Sequence, residues 1–405
     1  MPVAEPDRTG TIAFVPPRFG TDVVGGSEAV TREAAVGLAA RGWDVEVLTT
    51  RARDHYTWAD AYPAGRHDVD GVRVHRFDMA REEGFYPGQL DRGALEQRIA
   101  EGIPLDEGQE LAWVNGLFRV PDLYHHLVAE AHRYRAVVFS PYLFWTTIVG
   151  VGAAPERSSV MPCLHDEGYA RLRIIARSLS GVARAWYLSG PEQDLAQELG
   201  LDPGAGELTG AGVPVPEAYD AAGFPARHGL QRPFLLYAGR REEGKGWPVL
   251  VAAFAAAVAR GADLDLVTMG VGAIDAPPEV ADRIHDLGFL PDAEAPDAFA
   301  AAAAYVQPSR NESFSRTVME AWLAGTPVLA NAESAVVAWH CERSGAGLTW
   351  TGEDELSAAI EAVAGSPDAF RTLAEPGRAY VLEHYTWPTV LDQMERSLEQ
   401  MPWPR

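Results

Sequence analysis

The feature that most limits the possible folds of this chain is a repeated alternation of short apolar runs with amphipathic segments. In the first half, the segment 27–42 has the apolar spacing of a helix and separates the first two of the apolar runs. Strands that alternate with helices in this way form a parallel sheet covered by helices. The runs that we interpret as strands in this half are 11–15, 44–50, 71–77, 136–140, 160–165 and 185–189.

The second half repeats the alternation after a Gly/Pro-rich stretch at 210–233 that is typical of an interdomain linker. Because 405 residues exceed one ordinary core, we expect two domains, 1–212 and 213–384. Residues 385–405 form a C-terminal helix that either closes the second domain or crosses back to the first. The predicted fold class is α/β, with two Rossmann-like doubly wound domains that face a central cleft. Predicted elements of the second half are strands at 234–239, 264–270, 304–309 and 326–330 and helices at 247–259 and 314–325.

Composition excludes several functional classes. A formal charge of −23 argues against nucleic acid or an anionic membrane as the main partner. The sequence contains no apolar run of about 18 residues and begins without a recognisable secretion signal, so we expect no integral membrane segment. Cys163 and Cys341 form no disulfide framework, and we expect a cytoplasmic protein with reduced thiols.

One lysine stands among the 34 basic side chains, in "YAGRREEGKGW" (237–247). Here a predicted strand ends at Gly239, and Arg240 and Lys245 follow on a loop that opens a helix. Such loops offer backbone N–H groups and a positive dipole end to an anion. A planar guanidinium fork and a compact ammonium together suit a diphosphate, whose oxygens lie at two depths. The alternative is a surface turn with solvated charges.

Two glutamates, Glu312 and Glu320, are separated by seven residues in "NESFSRTVME" (311–320). Glu312 lies on a loop after a predicted strand, and Glu320 lies inside a helix that starts near Ser315. At about 1.5 Å per residue, Glu320 stands some 7–9 Å from that helix N-terminus. A phosphate at the N-terminus would therefore place an attached ribose near Glu320. The alternative is that both are solvated residues flanking a helix start.

Two further constellations lie in the first half. Gly25 and Gly26 precede a helix for which Ser27 fits the N-cap, so their backbone suits close approach of a phosphate. His165 follows a predicted strand in "CLHDEGY" (163–169) and is placed to bond a substrate hydroxyl. A double glycine alone is a weak signal, and a satisfied buried imidazole is the alternative for His165.

Other enzyme classes fit poorly. The first loop lacks the G-x-G-x-x-G of dinucleotide-binding domains, and the second strand ends in Thr49–Thr50 without an acidic residue. The acidic triplets at 68–70 and 263–265 have the pattern of strand entries, and the two cysteines match no zinc spacing. We therefore expect no metal and no cofactor. A binding protein that senses a nucleotide or a sugar without catalysis remains the competing class.

Together, "GGSE", "LHDEGY", "GRREEGKG" and "NESFSRTVMEAWLAGTPV" resemble the retaining glycosyltransferases of family 4, also called glycosyl transferases group 1, which have the GT-B fold. The resemblance implies that a hexose-type sugar moves from a nucleoside-diphosphate sugar, with UDP or GDP most expected, to an acceptor hydroxyl. It makes the amino-terminal domain the acceptor-binding one. The implied catalytic residues are Arg240, Lys245, Glu312 and His165, and the implied donor-binding residues are Gly25, Gly26, Phe314, Ser315, Arg316, Thr317 and Glu320.

By this resemblance, Arg240 and Lys245 bind the diphosphate, Glu320 holds the ribose and Glu312 holds the sugar hydroxyls. The sequence departs from the family at Ser315 and Arg316, where a glycine and an aliphatic residue are usual, so the identity of the sugar stays open. The acceptor is also open. The insert 80–134 and the stretch 140–145 supply aromatic side chains that either stack on the acceptor or belong to the core: Phe85, Tyr86, Trp113, Tyr142, Phe144 and Trp145.

Overall fold

The structure, a computed structural model, describes residues 8–80, 92–401 and 403. The chain divides into two units, Met1–Gly212 with Trp387–Arg405, and Val213–Thr386. Each unit is a doubly wound α/β sheet, so the predicted fold class is confirmed at the level of each domain.

The first unit is built on an eight-stranded sheet with the order β3-β4-β2-β1-β5-β6-β7-β8. Its strands are β1 (Thr11–Val15), β2 (Asp44–Thr50), β3 (Gly65–Val69), β4 (Val72–Phe77), β5 (Tyr134–Phe139), β6 (Ser158–Val160), β7 (Arg184–Tyr187) and β8 (Gly206–Leu208). Only β3 runs antiparallel, paired with β4. The strand order runs outward in both directions from β1 and β5, so it reverses between these two strands. Doubly wound sheets bind their ligands at such a reversal.

Helices cover the faces of this sheet: α1 (Gly26–Ala40), α2 (Arg92–Ala100), α3 (Glu107–Asn115), α4 (Pro121–Glu130), α5 (Trp145–Ile148), α6 (Arg173–Leu179) and α7 (Gly190–Glu198). Three of them, α2 to α4, occupy the insert 80–134, of which residues 81–91 lie outside the described part of the chain. The core lies between sheet and helices, where Val137 and Phe139 of β5 belong to the same buried cluster as Leu123 of α4.

The second unit has six parallel strands in the order β11-β10-β9-β12-β13-β14. They are β9 (Phe234–Ala238), β10 (Asp265–Met269), β11 (Ile284–Gly288), β12 (Ala304–Gln307), β13 (Val328–Asn331) and β14 (Leu348–Trp350). Numbered within the unit, this is the 3-2-1-4-5-6 order of a dinucleotide-type sheet, with its reversal between β9 and β12.

The helices of this unit are α8 (Phe224–Arg227), α9 (Trp247–Ala259), α10 (Ala295–Ala301), α11 (Arg316–Leu323), α12 (Ala335–Ser344), α13 (Gly352–Gly365), α14 (Pro367–Arg371) and α15 (Glu375–His384). Apolar side chains of α9 and α13, such as Phe254 and Ile360, share one buried cluster with Leu235 of β9. The four central strands β9, β10, β12 and β13 are buried on both faces, which explains their apolar runs, whereas the edge strands β11 and β14 are partly exposed.

The last helix, α16 (Trp387–Glu399), belongs to the first unit. It packs on α1, where an added Cβ at Gly37 would lie 2.6 Å from Leu391. The Trp387 indole donates to Glu33 at 2.6 Å, and the Trp43 indole donates to Glu395 at 2.9 Å. The chain therefore leaves the first unit after Gly212 and returns to it with α16.

Two local predictions are wrong. The strand predicted at 160–165 ends at Val160, because the backbone turns at Cys163, whose φ is +53°. Helix α1 begins at Gly26 and not after Ser27, and the Ser27 hydroxyl donates to Glu28 without capping the helix.

Candidate functional site

The loops after β9 and β12 lie on either side of the point where the strand order of the second unit reverses. They bring together two residues that the sequence singled out separately. The Lys245 ammonium donates to the Glu312 carboxylate at 2.8 Å, with 27% and 14% of these side chains exposed. A half-buried ion pair at this point of the fold gives the second unit a compact cation and a carboxylate at its ligand-binding edge.

The loop after β9 holds Lys245 in place through a glycine. Gly246 has φ +72°, and a Cβ there would lie 2.4 Å from the carbonyl oxygen of Pro308. A side chain at this position would therefore push the two loops apart. The same loop is closed by the Lys245 and Trp247 amides, which both donate to the carbonyl of Glu242.

The two adjacent arginines of this loop point in different directions. Arg240 is exposed and pairs with Glu242 at 3.1 Å. Arg241 is buried and forms a two-pronged bond to Asp286 at 2.8 and 3.0 Å. Arg241 also donates to the Gly272 carbonyl at 2.9 Å, so it fixes the loop to the neighbouring strands. Of the two arginines, Arg240 is therefore the one that is exposed on the loop that carries Lys245.

The loop after β12 contains a residue in the left-handed region. Ser315 has φ +66° and precedes the first residue of α11, which begins one residue later than predicted. The buried Ser315 hydroxyl accepts a hydrogen bond from the Gln307 amide at 2.6 Å. A glycine, the usual residue of the family here, adopts this conformation without strain, whereas serine needs a compensating contact.

Phe314 precedes this turn and is buried. Its ring meets the rings of His340 and Tyr385 edge-on, with centroids 5.1 and 5.0 Å away. Burial, together with nearby Arg343, lowers the pKa of His340 to about 3, so the imidazole is neutral at pH 7. Phe314 thus anchors the loop in the core of the second unit and presents little of its ring to a ligand.

Helix α11 carries the remaining residues predicted to bind the donor. The Thr317 hydroxyl accepts a hydrogen bond from the Tyr305 hydroxyl at 2.7 Å, and Arg316 and Glu320 are partly exposed. The side chain of Ser315, the N-cap residue of α11, does not cap the helix. Glu320 lies four residues after Arg316, about 6 Å along the helix axis, slightly closer to the N-terminus than predicted. The arrangement matches an anion at the helix start with a hydroxylated group beside Glu320.

In the first unit, Gly25 is the N-cap of α1 and Gly26 its first residue, and a buried ion pair lies beside them. Arg18 and Glu28 bond at 2.5 Å, with 5% of each side chain exposed. A Cβ at Gly25 would lie 2.2 Å from the Glu28 carboxylate, so the ion pair requires glycine there. Gly26 has open space around its Cα, which leaves that position accessible to a ligand.

His165 lies on the loop after β6 and is partly exposed, with Nδ1 3.8 Å from the Glu167 carboxylate. The buried Glu192 side chain holds this loop in place, and the sequence did not indicate this role. The Glu192 carboxylate accepts the Leu164 amide at 2.7 Å and the Leu188 amide. Complete burial raises the pKa of Glu192 to about 8, an effect that these backbone N–H groups partly offset.

A sequence signal for Glu192 exists. "SGPE" (189–192) has the spacing of a capping box, and the Ser189 hydroxyl accepts the Glu192 amide at 3.3 Å. The Glu192 carboxylate, however, does more than a capping box requires, because it also accepts backbone amides from the His165 loop and from the residue after β7. The motif therefore marks a buried carboxylate but does not reveal which loop it supports.

The predicted acceptor aromatics are mostly buried. Trp113, Tyr142 and Trp145 belong to the core of the first unit, and Phe144 packs against it. Phe85 and Tyr86 lie outside the described residues. Over residues 8–80, 92–401 and 403, no helix is long and apolar enough to cross a bilayer, and no group of three or more His, Cys, Asp or Glu side chains could hold a metal ion.

Two family models match the chain. Residues 25–212 match a glycosyl transferase 4-like domain, and residues 232–365 match the glycosyl transferases group 1 model. The D-inositol 3-phosphate glycosyltransferase of Pseudarthrobacter chlorophenolicus is 28% identical over 337 residues, which cover 77% of this chain and 75% of that protein.

Solved structures share the fold. Sucrose-phosphate synthase from Thermosynechococcus elongatus superposes with a TM-score of 0.71 at 20% identity, covering 96% of this chain and 98% of that one. Anabaena Alr3699/HepE, solved in complex with UDP and glucose, superposes with a TM-score of 0.69 at 17% identity, covering 96% of this chain and all of that one (100%).

Proposed function

Because the chain belongs to the group 1 glycosyltransferases and has their GT-B fold, we propose that it transfers a hexose-type sugar from a nucleoside-diphosphate sugar to an acceptor hydroxyl with retention of configuration. The product would be a glycan, a glycoconjugate or a glycosylated metabolite. The observation that carries this proposal is the Lys245–Glu312 pair at the strand-order reversal of the second unit. UDP and GDP are the donor nucleotides that we propose to test first, and the HepE complex with UDP supports the former.

The second unit supplies the groups that hold the donor. Lys245 and Arg240 bind the diphosphate together with the N-terminus of α11, where Ser315, Arg316 and Thr317 form the first turn. Phe314 fixes that turn from the core side. Glu320 accepts the ribose hydroxyls. In the first unit, Gly25 and Gly26 approach the phosphates, and His165 bonds a hydroxyl of the transferred sugar.

The Lys245–Glu312 pair gives a physical account of donor binding. Without donor, each charge of the pair neutralises the other at 2.8 Å. The diphosphate offers the ammonium a larger negative charge, so Lys245 turns toward it and Glu312 becomes available to the sugar hydroxyls. The bonds to the carboxylate and to the phosphate are both charge-assisted, so the larger negative charge of the diphosphate is what favours this exchange of partners.

The same groups stabilise the leaving diphosphate. Positive charge and helix N–H groups held in advance at the site where negative charge develops lower the barrier without reorganisation, and the loss of one such contact costs about 10²–10³ in rate. The acceptor hydroxyl then attacks from the face of the departing group, and a phosphate oxygen takes its proton. The proposed reaction needs no protein nucleophile and no metal ion.

Turnover of the donor with EDTA present tests this proposal. We expect transfer from UDP-glucose or GDP-mannose to an acceptor panel, with NMR showing the anomeric configuration of the donor in the product. Strict metal dependence would contradict the charge role of Arg240 and Lys245, and an inverted product would contradict retention. Saturable donor binding without turnover across the panel would favour a sensor.

Two variants, one at each end of α9, make the test more specific. Lys245→Ala should lower turnover by about 10²-fold or more. The matched control is Arg260→Ala, at the other end of α9 and about 20 Å along its axis, where Arg260 pairs with Glu361. The control should keep wild-type kinetics, and equal loss in both variants would refute the phosphate role of Lys245.

A further inference from the structure

A cavity of about 240 Å³ lies in the first unit at the carboxyl edge of its sheet. Pro17 follows β1, Thr50 ends β2, and residues 143–146 follow β5, and all of them line it. The cavity therefore lies beside the reversal of strand order between β1 and β5. Its volume is slightly below the range of roughly 300–1,000 Å³ that is usual for small-molecule sites.

Aromatic rings form most of the cavity wall. Trp58 stacks on Phe118 with centroids 4.8 Å apart and meets Phe144 edge-on at 5.4 Å. Trp113 stacks on Tyr169 at 5.5 Å. Rings fixed against one another in this way leave a space bounded by flat apolar faces, which matches a flat apolar ligand.

Two buried polar atoms in the cavity lining have no hydrogen-bond partner among the described residues. They are the indole Nε1 of Trp113 and the hydroxyl of Thr146, and these residues are 1% and 2% exposed. The neighbouring Thr147 hydroxyl, by contrast, donates to the Pro141 carbonyl at 2.7 Å. A buried polar group without a partner is costly, so a ligand whose oxygen atoms reach these two groups after a small shift of either side chain gains affinity.

The cavity also adjoins the His165 loop. Tyr169, which lines the cavity, lies four residues after His165 on the same loop. The Tyr142 hydroxyl donates to Glu167 at 2.6 Å and ties that loop to the segment after β5. A ligand in the cavity would therefore lie close to the residue that we assign to the transferred sugar.

We propose that this cavity binds the ring portion of the acceptor, and that this portion is a flat, largely apolar ring system carrying one or two oxygen substituents. The inference rests on the proposed function. A free sugar or cyclitol fits less well, because the wall is mostly apolar and each hydroxyl buried without a partner is costly. The Arg92–Glu96 pair at 2.8 Å supplies further polar groups in the lining.

Calorimetry with 2-naphthol as the probe and myo-inositol as the comparison tests the cavity in the full chain. We expect 2-naphthol to bind with a dissociation constant below about 1 mM and myo-inositol to bind at least tenfold more weakly. Myo-inositol binding as tightly as 2-naphthol would overturn the proposal, and so would the absence of 2-naphthol binding.

Three variants locate the bound probe. Thr146→Val should weaken 2-naphthol binding about tenfold, because it removes the unpartnered hydroxyl while keeping the shape. Thr147→Val is the matched control, since its hydroxyl is already satisfied, and should keep the wild-type affinity. Leu117→Trp fills the cavity and should abolish binding, with an unchanged thermal midpoint as the check on folding. Unaltered probe affinity in both Thr146→Val and Leu117→Trp would overturn the assignment.

Transfer assays separate this inference from the proposed function. With a donor that is turned over, 2-naphthol should yield a naphthyl glycoside, and Leu117→Trp should raise the KM for 2-naphthol at least tenfold while the slow hydrolysis of donor stays unchanged. An unchanged KM would refute the cavity as the acceptor site while leaving the transferase intact. Cavity-dependent binding of 2-naphthol without turnover of any donor would instead refute the proposed function and the acceptor role together.

Discussion

Acidification should destabilise the second unit through one histidine behind the donor loop. His340 of α12 is fully buried, with its Nδ1 3.1 Å from the Tyr380 hydroxyl and its ring against Phe314 and Tyr385. Burial, together with Arg343, lowers its pKa from 6.5 to about 3. Protonation of His340 in the folded state would place an unpaired charge beside Phe314.

The magnitude follows from linkage between protonation and folding. Because the folded pKa lies below the unfolded one, the unfolded state binds more protons between about pH 3 and pH 6.5. The contribution to stability is therefore complete above pH 6.5 and is lost as the pH falls toward 3. One pKa unit corresponds to about 1.4 kcal/mol, so lowering the pH from 7 to 5 should cost about 2 kcal/mol of unfolding free energy.

Hydrogen exchange of peptides from β12 to α12, corrected for intrinsic rates, measures this directly between pH 7 and pH 5. His340→Phe should remove about 2 kcal/mol of the pH-dependent loss, whatever its effect on stability at pH 7. The exposed His125→Asn is the control and should retain the wild-type slope. An unchanged slope in His340→Phe would show that His340 is not the group that titrates.

Three further predictions concern the donor site. Ser315→Val should lower the unfolding free energy by about 2 kcal/mol more than Ser315→Gly in urea titrations, because a β-branched side chain is strained at φ +66°. Equal stability of the two variants would contradict the role of backbone strain. Glu320→Ala should weaken the binding of UDP itself, whereas Glu312→Ala should leave UDP binding unchanged and weaken the binding of UDP-glucose. Calorimetry in which the two variants lose UDP affinity equally would contradict these separate roles. Lys245→Arg should lower turnover at least about tenfold despite the retained charge, because a guanidinium fork differs in shape from an ammonium. Wild-type turnover in this variant would show that only the charge matters.

The sequence predicted the four central strands of the second unit because their signals are local, but it did not predict the partly exposed edge strands β11 and β14. A continuous apolar run such as β9, followed by a loop and a helix, needs no distant partner to be recognised. Parallel strands end at one edge of their sheet, so Lys245 and Glu312 could be expected near each other although 67 positions separate them. Their direct contact depends on Gly246 and on the neighbouring loop, which only the folded chain shows.

The features that the sequence left unpredicted depend on contacts between distant segments. The usual glycine of the resembled family is compatible with a left-handed backbone at position 315, but Ser315 hides this signal, and the compensating amide belongs to Gln307 on another element. The strand predicted through His165 ends before the turn at Cys163, and the Leu164 amide after that turn donates to Glu192, 28 positions away. The aromatic cavity is likewise assembled from six separated segments, and burial alone could not distinguish its wall from ordinary core.

The net charge of the whole chain affects the affinity of the proposed donor site. A protein with a formal charge of −23 repels a nucleoside diphosphate at long range. Salt at physiological strength screens this repulsion beyond about 8 Å, so the groups nearest the phosphates decide whether binding is favourable. In the proposed site these groups are Arg240, Lys245 and the N-terminus of α11, and Glu312 cancels one of the cations until a sugar arrives. Donor affinity should therefore depend on the sugar as well as on the diphosphate, because the sugar hydroxyls replace Lys245 at the Glu312 carboxylate when Lys245 turns to the phosphates.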